Sequence, residues 1–246
     1  MEILETGIDT RDSLISVRLD SIKRIIVFAS GKGGVGKSTL SAHTSYILSK
    51  NYTTGILDLD LHGPSIPLIL GLNQYMVKES QEGIIPPEKN GLKIMSLEIF
   101  MRGRGSPLRG NSKYDIIKEL FSITNFGQLD YLVVDMPPGT GDEFLAALEI
   151  FGNKGEMIFI TAPSIVSWQV TRRAIEIARG KIKESGVIIN MGKSETIHEE
   201  CKKLRIKCLG NIDYYPYVID GSIENLEKTE YLKKLNDILM NSSIIH

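Results

Sequence analysis

Short apolar runs rich in β-branched residues recur along the chain, and each stops at a glycine, an acid or a turn. They are "RIIVFAS" (24–30), "TGILDLD" (54–60), "DYLVVDM" (130–136), "EMIFITAP" (156–163), "GVIINM" (186–191) and "CLGNI" (208–212). Continuous apolar runs of this length predict strands buried on both faces. Between them the apolar positions change to helical spacing. From Lys37, residues Leu40, Thr44, Ile47 and Leu48 share one face, and Ile116, Ile117, Leu120 and Phe121 do so within 113–123. Helices are also predicted over about 143–151, 165–183 and 195–205, and a last one with Tyr231, Leu232, Leu235, Ile238 and Leu239 on one side. Asn90-Gly91, between apolar runs in 81–97, predicts a hairpin.

Strands alternating with helices imply βαβ units. The expected fold is α/β: a single doubly wound, mostly parallel sheet with helices on both faces. Residues 1–22 are polar and weakly patterned and read as a leading arm; residues 23–246 read as one domain without linker or repeat.

Composition narrows the function classes. Of 246 residues, 42% are hydrophobic and 24% charged, and the net charge is −1. That balance gives no support to a bulk polyanion-binding role, so no nucleic-acid partner is expected. Local basic groups, at Arg102, Arg104 and Arg109 and from Arg172 to Lys183, read as solvated faces. The start, "MEILETGIDTRD", lacks a secretory pattern, and no apolar run approaches the ~20 residues that span a bilayer. A cytoplasmic protein without membrane association is expected. The two cysteines, Cys201 and Cys208, are too few for a disulfide framework.

On an open parallel sheet, ligands bind beyond the carboxyl ends of the strands. The unusual residues lie there, at Ser30–Gly31, Asp58–Asp60, Asp135–Met136 and Asn190–Met191. "GKGGVGKST" (31–39) fits G-x-x-x-x-G-K-[ST] between a predicted strand and a predicted helix. Gly31, Lys32, Gly33, Gly34, Val35, Gly36, Lys37, Ser38 and Thr39 are therefore the candidate nucleotide loop. Its glycines let the backbone curl with N–H groups inward, a nest for phosphate oxygens at a helix N-terminus. Lys37 would bridge the β- and γ-phosphates, Ser38 would ligate Mg²⁺, and Thr39 would hold the α-phosphate. Asp135, at a strand end, is a second candidate for Mg²⁺. Asp58 and Asp60 share a face if their strand continues that far; one would orient metal or its water, the other the attacking water. In "PPGTGD" (137–142), Gly139 offers an N–H to a γ-phosphate.

"ASGKGGVGKST", "LDLDLHGPSIPLILGL" and "LDYLVVDMPPGTGD" closely resemble the Mrp/ApbC family of P-loop ATPases, within the MinD/ParA-like group. "GLKIMSL", "PLRG" and "GVIINM" resemble further family segments, over roughly residues 23 to 240. The resemblance implies an ATP- and Mg²⁺-dependent homodimer. It implies that Lys32 reaches the partner's nucleotide, that Asp60 lies near the attacking water, and that Asn190 contacts adenine. It also implies iron–sulfur cluster assembly or transfer to apo client proteins. Many members carry a C-P-x-C pair after the strand ending in Asn-Met; this chain has "GKSETIHEE" there, and Asn111 stands where proline is usual. Cys201 and Cys208 are left as either iron–sulfur ligands or buried structural thiols. Charged neighbours of Cys201 predict an exposed position, the strand start predicts a buried Cys208, and the two are not expected to converge. The alternatives are a nucleotide-switched positioning or partition ATPase and a cysteine-independent assembly scaffold. The last helix, with Lys228, Lys233 and Lys234, reads as packed on the sheet rather than on a membrane.

Overall fold

The computed structural model describes residues 9–60, 63, 65–103, 112–220, 223–242 and 244–245. The chain begins α1 (Thr10–Asp20), β1 (Ile22–Ser30), α2 (Lys37–Ser49), β2 (Thr54–Asp58) and α3 (Ile66–Ile69). Four short strands follow, β3 (Lys78–Ser80), β4 (Gly83–Ile85), β5 (Glu88–Lys89) and β6 (Leu92–Ser96), then α4 (Leu97–Gly103) and α5 (Lys113–Ile123). The second half alternates: β7 (Leu129–Asp135), α6 (Asp142–Phe151), β8 (Gly155–Thr161), α7 (Ile165–Ala178), β9 (Lys183–Asn190), α8 (Glu195–Leu204) and β10 (Cys208–Ile212). It closes with α9 (Tyr217–Asp220), a 3₁₀ turn (Ile223–Leu226) and α10 (Glu230–Asn241).

Eight strands form one sheet in the order β10-β9-β8-β1-β7-β2-β6-β5. Every pairing is parallel except β5 with β6. The sheet is thus the mostly parallel one expected from the apolar runs. The antiparallel edge comes from the predicted hairpin: Asn90 (φ 52°) and Gly91 (φ 77°) both take left-handed backbone, as a two-residue hairpin turn requires. β1 lies in the middle, and Ile26, Val27, Phe28 and Ala29 have no exposure. Helices cover both faces, so Ile26, Val27 and Phe28 each contribute about 1.5–3 kcal/mol of burial. On one face Phe121 of α5 meets Phe151 of α6 edge-on, with ring centroids 5.0 Å apart.

Two expectations are revised. Residues 10–20 of the supposed leading arm form α1, capped by the Asp9 side chain, which accepts from the Arg11 N–H. Ile15 is the buried residue of this helix, which is why the hydrophobic pattern is weak. Charge does the rest: Arg11 pairs with Asp115, and Lys118 with Asp9 and Asp12, tying α1 to α5. The second revision concerns α7. It ends at Ala178 rather than near 183, because Gly180 takes φ 73° and Lys183 already begins β9. Leu61, His62 and Pro64 of the "LHGPS" segment, Arg104, Arg109 and Asn111 lie outside the described residues.

Candidate nucleotide site

The loop between β1 and α2 is shaped by close approach. A Cβ on Gly31 would lie 2.3 Å from the Val170 carbonyl carbon, so the loop begins pressed against the α7 backbone. Gly34 and Gly36 take φ 78° and 79°, a region that L side chains avoid. A Cβ on Gly36 would also lie 2.3 Å from Asn190 Nδ2. That amide group, at the end of β9, donates to the Val35 carbonyl at 2.8 Å.

Two cavities flank the loop. One, of about 330 Å³, is lined by the loop itself, Lys32, Asp60, Ser65 and Pro138. The other, about 50 Å³, lies past Gly36 and Thr39 and is lined by Asn190, Asp213, Tyr215 and Tyr231 among others. The first has the N–H-rich, lysine-bearing character of a phosphate site. The second is the aromatic and amide-lined side where a base would lie. Thr39 borders both.

Under the loop lies a buried polar cluster. Lys37 Nζ is 2.6 Å from Asp135 Oδ1, and Ser38 Oγ donates to Asp135 Oδ2 at 2.6 Å. Ser41, one helical turn on, places its Oγ 2.8 Å from Asp135 Oδ1. Asp135 has no exposure and Lys37 only 5%. The Ser38 hydroxyl beside a carboxylate is a hard-oxygen donor pair of the kind that suits Mg²⁺.

Asp58 is the lateral neighbour of Asp135 across the β2–β7 pairing. Burial, and then the Asp135 charge, push its carboxyl up to about 7. Its oxygens accept the backbone N–H groups of Asp60, Ser65 and Ile66, so it anchors the loop that follows β2. β2 stops at Asp58, so the condition for Asp58 and Asp60 to share a face is not met. Asp58 is fully buried, whereas Asp60 lines the phosphate-side cavity. Lys32 is exposed at the same cavity. Gly139 differs from expectation: its N–H donates to the Ser30 carbonyl at 2.9 Å, so in this arrangement it is engaged by the start of the loop. Pro138, beside it, is the residue of that segment that reaches the cavity.

The family described as NUBPL iron-transfer P-loop NTPase, in the ParA group, matches residues 21–220. The chain belongs to this family. It is similar to the iron-sulfur cluster carrier protein of Rickettsia felis, 36% identical over 221 residues that span 87% of this chain and 69% of that protein. It is also similar to a cytosolic Fe-S cluster assembly factor, the Nubp2 homolog of Drosophila sechellia, 37% identical over 182 residues that span 70% of each. The structure of a nucleotide-binding protein from Archaeoglobus fulgidus in complex with ADP covers 96% of this chain and 94% of its own, at 27% identity and a TM-score of 0.67.

In this member of the family the cysteines depart from expectation. Cys201 is the buried one, at 1% exposure, and Cys208 is half-buried. Cys201 follows Ile197 by one turn and shares its buried face, against the vote of its charged neighbours. Arg205 closes α8 in left-handed backbone (φ 55°), and the chain returns so that Cys208 Sγ lies 3.9 Å from Nε2 of His198, one turn before Cys201 on α8. The two cysteines do converge. Among the described residues, however, no group of three or more His, Cys, Asp or Glu can hold a metal ion. No helix among them is long and apolar enough to cross a membrane. α10 packs against β10 and α2, as the apolar face predicts.

Four contributors carry little sign of their role in the sequence. Ser41 carries a common helix-interior identity, and only the approach of β7 reveals its partner. Asp213 and Tyr215 of "NIDYYP" follow a strand end, which was the available signal. Tyr231, on α10, bonds through its hydroxyl to His43 Nδ1 of α2 at 2.8 Å, a contact between residues 188 apart in sequence.

Proposed function

We propose that the protein is an Mg²⁺-dependent ATPase that works as a homodimer and serves iron–sulfur cluster assembly or transfer to apo client proteins. The observation that carries the nucleotide reading is the convergence of Lys37, Ser38 and Asp135 beneath a glycine loop flanked by a phosphate-sized and a base-side cavity. The iron–sulfur task is supported by the family and by the names of its relatives.

In this reading the loop N–H groups and the α2 N-terminus hold the triphosphate, and Lys37 leaves Asp135 for the β- and γ-phosphates. Ser38 and Asp135 would hold Mg²⁺, which neutralises phosphate charge when bound. Asp60 orients the attacking water. Lys32 of each subunit places positive charge at its partner's phosphoryl group, where transition-state charge develops. Asn190 reads the adenine edge: one Nδ2 hydrogen holds the Val35 carbonyl, and Oδ1 accepts from the exocyclic amine. A cytosolic setting suits a chain of this family.

The test is anaerobic. Iron and sulfide are supplied, and cluster delivery to an apo-ferredoxin is followed with ATP, with ADP and without nucleotide, alongside phosphate release and sedimentation. ATP turnover, an ATP-favoured dimer and nucleotide-sensitive delivery are expected. A folded protein that neither binds nor hydrolyses ATP removes the enzymatic part; nucleotide binding without any cluster delivery removes the iron–sulfur part.

A further inference from the structure

The thiol pair at the far edge of the sheet lies apart from the nucleotide site and from any metal set. Cys208 opens β10, the edge strand, and the β9–β10 register shifts between Cys208 and Gly210. Beside this irregularity the Cys208 sulfur faces α8, the helix whose buried face carries Cys201. His198, one turn before Cys201, brings Nε2 to 3.9 Å from the Cys208 sulfur. The same Nε2 lies 3.0 Å from Asn211 Oδ1, an oxygen that only accepts, so this nitrogen carries a proton. A protonated Nε2 has no lone pair for a metal. It can instead stabilise a neighbouring sulfur anion.

We propose that Cys208 and Cys201 form a peroxide-reactive dithiol that closes reversibly into an intrachain disulfide. The chemistry follows from the asymmetry of the pair. Cys208 is half-buried, so a small oxidant reaches it; Cys201 is sealed behind it. The neighbouring Cys201 thiol, and then His198 and the Gly210 N–H, bring the Cys208 thiol down to about 7, whereas Cys201 is held protonated. A thiolate of that strength, not the thiol, is the nucleophile. In the first step the Cys208 thiolate attacks a hydroperoxide. The O–O bond breaks, an S–O bond forms, and the leaving alkoxide or hydroxide takes a proton from water; the product is a sulfenic acid. In the second step the Cys201 sulfur attacks Cys208. The S–O bond breaks, an S–S bond forms, and the hydroxyl leaves with the Cys201 proton as water. Two sulfurs have lost one electron each and the peroxide has gained two. A low-molecular-weight thiol reverses the change by exchange, two equivalents becoming their own disulfide.

The full-length protein without nucleotide is treated with hydrogen peroxide at neutral pH, then assayed for free thiols, intact mass and migration on a non-reducing gel. Omitting nucleotide makes the outcome independent of the ATPase reading. The wild type should lose both thiols and about 2 Da, stay monomeric on the gel, and recover with dithiothreitol. Cys201→Ser should stop at a dimedone-trappable sulfenic acid on Cys208. Cys208→Ser should leave Cys201 unreacted, with oxidation slowed by at least about ten-fold relative to Cys208 in the wild type. The proposal is overturned if both thiols survive peroxide in the wild type. Over-oxidation of Cys208 beside a free Cys201, or only disulfides between chains, also overturns it. Because the wild type alone gives the decisive reading, a poorly folded variant does not rescue the idea.

Discussion

Lys37 Nζ lies 2.6 Å from Asp135 Oδ1, in a cluster buried beneath the glycine loop. The lysine proposed for phosphate and the acid proposed for metal hold one another, and a nucleotide would have to separate them. A buried charge that loses its partner is costly, so each neutralises the other's desolvation.

Lys37→Ala is therefore expected to do two things. ATP binding should vanish in isothermal titration. Stability at neutral pH should also fall, by about 3 kcal/mol, because Asp135 is left buried with hydroxyl partners alone. Lys37→Ala/Asp135→Asn should recover most of that stability in urea unfolding without recovering ATP binding. Wild-type affinity in a folded Lys37→Ala protein would remove the phosphate-loop assignment.

The loop glycines should not be equivalent. Gly34→Ala meets nothing within 4 Å but keeps φ 78°, a cost of about 1 kcal/mol. Gly36→Ala adds a contact at 2.3 Å with Asn190 Nδ2, which must leave Val35, so a loss of about 2–3 kcal/mol is expected. Gly31→Ala meets α7 backbone, which cannot swing aside, and should cost the most, about 4 kcal/mol or more. Urea unfolding of the three variants gives the ranking; any other order contradicts the geometry.

His43 makes stability pH-dependent. Burial pulls its imidazole from 6.5 down to about 4. Between those values the unfolded chain binds a proton that the folded chain refuses. The histidine-linked stability is thus fully present above 6.5, declines as pH falls toward about 4, and then levels off. The linked loss is at most about 3 kcal/mol. His43→Gln keeps a polar partner for the Tyr231 hydroxyl and should flatten that part of the profile, read from urea midpoints across the acid range. An unchanged slope in the variant would show that other groups set it.

Lys32 and Asp60 line one cavity, and the proposed dimer divides their labour between subunits. Lys32→Ala should bind ATP yet hydrolyse it at least about ten-fold more slowly, a loss of ~1.4 kcal/mol or more of transition-state stabilisation. Asp60→Asn should bind ATP and stay dimeric without turnover. Mixed in equal amounts, the variants should regain activity, since one site of each mixed dimer has both residues intact. No gain in a mixture shown to exchange subunits would place Lys32 outside the partner's site.

Periodicity and loop chemistry are local properties, and the chain carries them openly. The apolar runs at 24–30, 130–136 and 156–163 require burial on both faces, and a parallel sheet wrapped by helices satisfies them. Asn90-Gly91 encodes its own turn. The glycine spacing of 31–39 encodes a phosphate nest wherever a strand feeds it into a helix. What depended on folding was every contact between distant segments. Ser41 became a partner of Asp135 because β7 runs beside β1, and Gly139 lost its free N–H because the loop after β7 returns to Ser30. Asp58 and Asp60 parted because β2 ends between them. Cys201 and Cys208 met because one helical turn puts Cys201 under Ile197 and one left-handed residue, Arg205, reverses the chain. Neighbouring charges say how polar a segment is, while the direction in which a single side chain points is set by what packs against it.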